Sequence, residues 1–562
     1  MPLGESGAAL GQGAPRSTGQ VGSQAAAQAA SQISHPAGKY SISGVVVSAT
    51  TGHPLDRSEV IITAAVDGRP AGETKTGEDG KFSFTGLAAA KYALTGSRRG
   101  YITSSYDEHW EFSTAIVTGE GLVSDGLTLR LPPQAVLYGT VTDDNGEPVA
   151  QATVSIYRQN ARSGLGNIVS AGQFMTDDQG DYEVTRLGPG NYYMSVSGRP
   201  WYSTRLQPQR DARGNSIGTA ASSSLDVAFP RTFYSNVTDS DSATPIPLKA
   251  GDRIPVNFSL HALPSLHMTI QLPRPTQVQG PGGSMAMPQV EQELFGAREP
   301  VQVNFNFQSS PTSPNAVSSV EIDGITPGDY QVEMRAQDGS ATHFGVVNAS
   351  GDLSLDAAQA TPLADVTGKV GMANGEKLPE VTFVALRTGD QPNGGARVEK
   401  DGSFTLRGIA PGSYELMAFS ETTALSVTRV AAMGAAVEGH VLKVGSQNIN
   451  LAATLVTGAA TVSGVAHRAG KPASGVMILL APKDPEDYQD LIRRDQSDSD
   501  GTFSLPRVVS GEYTLVAIED GWTLDWARRG VIEKYLRLGQ KVTVPGNIKE
   551  MKLPVAIEVQ AK

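Results

Sequence analysis

Apolar and polar residues alternate with a period of two along most of the chain, in short runs broken by Asp-Gly, Asn-Gly and Pro-Gly pairs. The clearest stretch is Asp401-Gly402-Ser403-Phe404-Thr405-Leu406, followed by Arg407-Gly408-Ile409-Ala410-Pro411-Gly412-Ser413-Tyr414-Glu415-Leu416. Asp-Gly supplies the positive φ of a tight turn. Phe404 and Leu406 then share one face of a strand. Pro-Gly makes the next turn, and Tyr414 and Leu416 open the returning strand. The same frame pairs Phe82 with Tyr92, Tyr182 with Tyr192, Val320 with Tyr330 and Phe503 with Tyr513, always ten residues apart. Turn glycines precede the first aromatic at Gly80, Gly180, Gly402 and Gly501.

An upstream strand opens each copy, at Gly44-Val45-Val46, Gly139-Thr140-Val141, Gly368-Lys369-Val370 and Gly464-Val465-Ala466. The third copy is the most divergent and starts near Leu266–Ile270. Closing strands are expected at Leu127–Leu129, Val256–Leu260, Ile449–Leu451 and Met551–Leu553. This predicts modules over 39–132, 133–262, 263–361 (divergent), 362–456 and 457–562. Such lengths exceed a solenoid repeat and suit small domains with their own cores. The linkers are short (Leu131-Pro132-Pro133, Leu263-Pro264), so a semi-rigid rod is expected. Residues 1–38, rich in Gly, Ala, Gln and Ser, hold too few large apolar groups for a core and are expected to be disordered.

Composition narrows the classes. The 562 residues carry a net charge of −12. No run of Lys and Arg with interleaved aromatics points to nucleic acid, and no apolar stretch reaches the roughly 18 residues of a spanning helix. Cysteine is absent, which excludes disulfides, Cys nucleophiles and thiolate metal sites and weakly favours export. The first twenty residues lack the basic start and apolar core of a signal peptide. An export signal upstream of this sequence is the expectation.

The string Gly139-Thr140-Val141 … Gly146-Glu147-Pro148-Val149 … Ala152-Thr153-Val154, with Thr176-Asp177 … Gly180-Asp181-Tyr182 … Leu187-Gly188-Pro189-Gly190-Asn191-Tyr192, resembles the carboxypeptidase regulatory-like domain. Modules one, four and five carry the same pattern, and module three its second half. The resemblance implies an all-β chain: a tandem array of about five antiparallel Ig-like, prealbumin-like β-sandwiches. Phe233–Asp252 and Trp526–Leu536 resemble inter-module stretches of multi-repeat bacterial members. Those members are exported, and the fold is grouped with starch-binding-like sandwiches, which makes carbohydrate an implied ligand class. The family name describes an accessory domain and implies no peptidase activity.

Residues that carry chemistry are sparse. The eight histidines form no H-E-x-x-H or H-x-H spacing. Gly214-Asn215-Ser216-Ile217-Gly218 fits G-x-S-x-G, but polar residues flank it where a nucleophile elbow needs a strand and a helix. Asp495–Gly501 hints at a calcium loop, yet Gln496 and Arg507 stand where acids belong. No catalytic residue, cofactor or metal is therefore expected. Tyr101, Trp201 and Trp522 each lie nine residues after a repeat tyrosine, which suits a structural ring closing one end of a sandwich. Trp110 and Trp526 lie outside that slot, in Tyr106–Phe112 and Trp522–Arg529. Aromatics beside acids can stack on a pyranose while the polar neighbours bond its hydroxyls. Trp110, Tyr106, Trp526 and Trp522 are the candidate ligand-binding residues; the alternative is that these rings pin long loops onto their own sandwich. The expected function is a non-catalytic, exported or cell-envelope binding or scaffold protein. It would be secreted, periplasmic or on the cell surface, with polysaccharide or envelope proteins as partners. Carbohydrate binding is the alternative and a loop-built hydrolase a remote one.

Overall fold

The computed structural model describes residues 38–562 apart from 161–163, 204–207, 211–215, 220–223, 278–285, 311–312, 374, 389–390, 422–424, 458–459, 487 and 547. The expected disordered lead falls outside the described residues up to position 37. The architecture is a tandem array of β-sandwiches, each with a continuous apolar core between two sheets. In the first, Lys81–Leu87, Tyr40–Ser48 and Leu127–Leu131 form one sheet. Pro70–Lys75, Glu59–Ala64, Lys91–Ser97 and two short strands form the other. Each opening strand pairs antiparallel with the strand after the turn glycine and parallel with the closing strand. That parallel pairing explains why the closing segments repeat.

The two strands of the ten-residue frame lie in facing sheets, not in one hairpin. Lys81–Leu87 pairs with the opening strand, whereas Lys91–Ser97 pairs with Glu59–Ala64. Phe82 and Tyr92 therefore enter one core from opposite sides. A period of two tells which face a residue takes, but not which sheet its strand joins.

Four recurring contacts explain the frame. The turn glycines hold φ between 68° and 87°, and their carbonyls accept from Val46, Val141, Val370 and Ala466 N–H. A Cβ on Gly402 would stand 2.3 Å from the Val370 carbonyl oxygen, so glycine is required there. Four residues before the turn glycine, the hydroxyls of Thr76, Thr176 and Ser497 each accept a backbone N–H and donate to a second carbonyl. The opening glycines Gly44, Gly139, Gly368 and Gly464 pair across the sheet with Phe82, Tyr182, Phe404 and Phe503; a Cβ at Gly44, Gly368 or Gly464 would stand 2.6–2.8 Å from the facing ring, and one at Gly139 would stand 2.0 Å from the Val256 carbonyl oxygen. In the divergent module the same pair is Ile270 with Val320: bulk moves from one strand to the other. Finally, all five repeat tyrosines donate to the carbonyl four residues earlier, Tyr92 to Ala88, Tyr192 to Gly188, Tyr330 to Thr326, Tyr414 to Ala410 and Tyr513 to Val509. Each phenol satisfies a carbonyl of the turn that carries the chain between sheets.

The array is not a rod. Neighbours bond side to side: Gln134 N–H reaches the Gly100 carbonyl, Arg231 pairs with Glu299 at 3.1 Å, and Arg335 donates to the Gly408 carbonyl. His440 meets Asp490 at 2.8 Å. The last module then returns to the first two. Ala527 N–H donates to the Gly164 carbonyl at 3.0 Å, and Ser499 N–H to the Ala115 carbonyl at 3.0 Å. Short linkers turn the chain at each junction, and sheet faces left apolar are buried against the following module, as Tyr157 and Phe233 are by Phe295.

Candidate functional site

The loop Tyr106–Phe112 leaves the first module as a tight turn. His109 and Phe112 exchange backbone bonds at 2.8 and 3.0 Å, with Trp110 at the tip at φ 60°. A bulky residue in the left-handed region is strained. The loop is held there by the last module. Trp110 Nε1–H donates to the Trp522 carbonyl at 3.1 Å. The His109 ring stacks on the Trp522 indole at 5.3 Å, 9° from parallel, and Phe112 tilts against the same indole at 5.3 Å.

Polar groups surround these rings. Gln496 Nε2 donates to the Asp107 carbonyl at 2.6 Å and to Thr114 Oγ1 at 2.8 Å. Arg494 pairs with Glu111 at 3.1 Å while its guanidinium lies 4.4 Å from the Trp526 ring and 5.1 Å from Phe112, a favourable cation–π geometry. Lys91 is bonded to Asp498, whose Oδ1 also accepts Ala115 N–H at 3.2 Å. Burial pushes the Asp498 carboxyl above its ordinary range, and Lys91 opposes that shift. Burial likewise pushes the half-buried Asp495 up to about 7 against two backbone N–H donors.

Three of the four candidate ligand residues thus meet at one seam. Trp522 is 5% exposed and Trp110 41%. Trp526 packs against Gly164 of the second module, where a Cβ would come within 2.4 Å of the ring. Tyr106 instead packs on its own module's core, and burial raises its hydroxyl pKa. Trp110 is pinned across modules, whereas Trp526 is held both ways, on its own module's apolar cluster and Arg494 and against Gly164 of the second module. His109, Phe112, Arg494 and Gln496 complete the seam; the sequence marks none of them as a site residue, and Gln496 stands out there only as the missing acid of the calcium-like loop. The dense mixture of rings and charges over 106–112 was the available signal.

The shared aromatic slot holds for Trp522 but not for Trp201, which is 78% exposed. Its Nε1–H donates to Glu147 at 3.1 Å, and the Tyr202 ring stands edge-on at 5.7 Å. The second module needs no ring there, because Tyr157, Phe233 and Phe295 already fill its outer sheet face. The acids of the calcium-like loop are engaged locally: Asp495 by the Ser504 and Gln496 N–H groups, Asp498 as above, and Asp500 by Thr502. Among the described residues no group of three or more His, Asp or Glu is placed to hold a metal ion. No described helix is long and apolar enough to cross a membrane. The G-x-S-x-G string lies partly outside the described residues; Ser216–Thr219 forms a short strand paired with Pro208–Arg210.

The fold and seams define a multi-module β-sandwich protein. Residues 41–118 and 136–220 match the family model of the carboxypeptidase regulatory-like domain. Residues 456–544 match that of the second beta sandwich domain of the BOS complex subunit NOMO1-like family. No curated protein matches. Among solved structures the chain is similar to the Bacillus anthracis TIE protein, at 9% identity over 76% of both chains with a TM-score of 0.17. It is also similar to GBS52, the minor pilin of Streptococcus agalactiae (14% identity, 40% of this chain and 97% of that one, TM-score 0.20). A third is BcpA, the major pilin subunit of Bacillus cereus, at 11% identity over 76% of this chain and 99% of that one, TM-score 0.14. At these scores the likenesses carry no functional argument.

Proposed function

We infer that this chain is a non-catalytic scaffold of the cell exterior or envelope, in which the sandwiches act as one body. The observation that supports this is the seam between the first and last modules. Rings, a cation–π contact and part-buried ion pairs join the first and last modules, which presents the outer loops at fixed spacings. Fixed spacing favours simultaneous engagement of several partner sites. Other buried ionisable pairs serve junctions too, His440 with Asp490 between the fourth and fifth modules and His267 with Asp226 at the second-to-third boundary. Fractionation of the producing cells tests the reading: recovery with the envelope or medium is expected, and a wholly cytosolic distribution would sink it.

Carbohydrate binding is a second reading, favoured by Trp201. Its exposed indole, fixed at the edge by Glu147, offers a flat face beside carboxylates, as sugar stacking requires. Retention of the intact protein on a polysaccharide panel is expected to fall with Trp201→Ala. Equal retention would remove the site.

A further inference from the structure

The cation at the junction of the fourth and fifth modules is a histidine. Lys91 with Asp498 and Arg494 with Glu111 join the first module to the last, and Arg335 reaches the Gly408 carbonyl between the third and fourth. His267 meets Asp226 at the second-to-third boundary, but Arg231 with Glu299 braces that junction as well. Lysine and arginine keep their charge through the neutral range, whereas histidine does not.

His440 follows the tight turn at Gly439, φ 60°, that joins the strands Ala436–Glu438 and Val441–Val444. Its side chain is 2% exposed, and Nδ1 meets Asp490 Oδ2 of the last module at 2.8 Å. The Tyr488 ring stands edge-on to the imidazole at 5.0 Å. His440 Nε2 and Asp490 Oδ1 are buried without a hydrogen-bond partner, so no third group takes over when this bond weakens. Other charges surround the pair. Glu415, bonded to Arg387, acts on the ring from the neighbouring strand. Arg493 Nη1 donates to the Asp490 carbonyl at 2.6 Å, and Lys443 pairs with Glu438 at 3.5 Å on the histidine's own hairpin.

We propose that His440 and Asp490 form a pH-operated latch, closed while the imidazole is charged and loosened when it loses its proton. Burial favours the neutral ring, but the bond and charge of Asp490 outweigh it and raise the His440 pKa above the ordinary histidine value. The closed junction therefore holds the proton more tightly than an open one. Its stabilisation is full below about pH 6.5 and is lost as pH rises through the raised value. With the ring neutral, the Asp490 and Glu415 carboxylates still repel each other. The latch goes beyond the scaffold reading and is independent of where the protein resides.

Deuterium exchange of the full chain, corrected for its intrinsic pH dependence and read by mass spectrometry, tests this. Segments 436–444 and 488–493 are expected to exchange about fivefold faster at about pH 9 than at about pH 6. The segments around Arg335 and Gly408 should not share that change. His440→Gln and Asp490→Asn should each remove most of the difference. Both leave Asp495 intact, so its own titration stays in the baseline, and two variants keep the test readable should one fail to fold. The proposal is overturned by exchange that does not change or slows as pH rises, by an equal change around Arg335 and Gly408, or by the full wild-type difference in both variants.

Discussion

The first and last modules use the same frame but treat their second sheet differently. In the first, Glu59–Ala64 alternates: Val60 and Ile62 are fully buried, whereas Glu59, Ile61 and Thr63 face outward and stay half-exposed. In the last, every residue of Met477–Pro482 is buried. Ile478 and Leu480 fill the core between the sheets. Met477, Leu479 and Ala481 fill a second cluster on the outer face, under Trp522, Ile532 and Tyr535, with Phe112 of the first module at its edge. An alternating strand reports a sheet with one wet face, and an unbroken apolar run reports a sheet covered on both. Covering the second face is what recruits the chain's other end.

Removing the cover should break this difference most strongly. Trp522→Ala deletes a buried ring that touches His109, Phe112 and Met477's cluster. A loss of about 3–5 kcal/mol is expected for the last module, together with a larger radius of gyration as the first module is released. Tyr101→Ala, at the same slot of the first module, removes a half-buried ring resting near Arg98 at 5.3 Å, and should cost less than half as much. Chemical unfolding and small-angle scattering of the two variants check both statements; equal losses would mean that the slot has one role in both modules.

A pH comparison comes next. Asp495 stands six residues before its turn glycine, where the first module has Thr74. Burial pushes the Asp495 carboxyl up to about 7, so between about pH 4 and 7 the folded state holds a proton that the unfolded chain has released. Stability linked to this group is therefore greatest at low pH and falls as pH rises through 7. About 2 kcal/mol is expected, less than full linkage because the group is only half-buried. Asp495→Thr should flatten the dependence of unfolding free energy on pH between 5 and 8. An unchanged slope would show that another group carries it.

Much of the fold was legible in the residues. Alternation located the strands, the turn glycines stand at positive φ, and Phe404, Leu406, Tyr414 and Leu416 all lie in one core. The parallel closing strands were legible because they repeat. The assignment of Phe82 and Tyr92 to facing sheets was not, since alternation does not encode strand partners. Nor was the seam: Trp110 and Trp522 are 412 positions apart, and no local pattern joins them. Trp201 and Trp522 occupy one register, yet their exposures differ because Phe295 already covers the second module's sheet. Neighbouring modules, more than the frame itself, decide which aromatic rings are sealed.

The smallest expected effect concerns the repeat tyrosines, whose shared geometry hides unequal dependence. In the last module the Tyr513 hydroxyl donates to the Val509 carbonyl at 2.9 Å, and burial pushes its pKa up to about 12. Among the described residues no second donor reaches that carbonyl. In the first module the Ala88 carbonyl accepts from Tyr92 at 3.3 Å and also from Thr118 Oγ1 at 2.7 Å. Removing one phenol therefore strands a carbonyl in one module and not in the other. Tyr513→Phe should cost about 1–2 kcal/mol, the penalty of a buried acceptor left unpaired, whereas Tyr92→Phe should cost well under about 1 kcal/mol. Thr118→Val added to Tyr92→Phe should raise the loss above the sum of the single changes, because only the double variant empties the Ala88 carbonyl. Additive losses in that cycle, read from urea unfolding, would show that solvent takes over the carbonyl and that the tyrosine is kept for its ring alone.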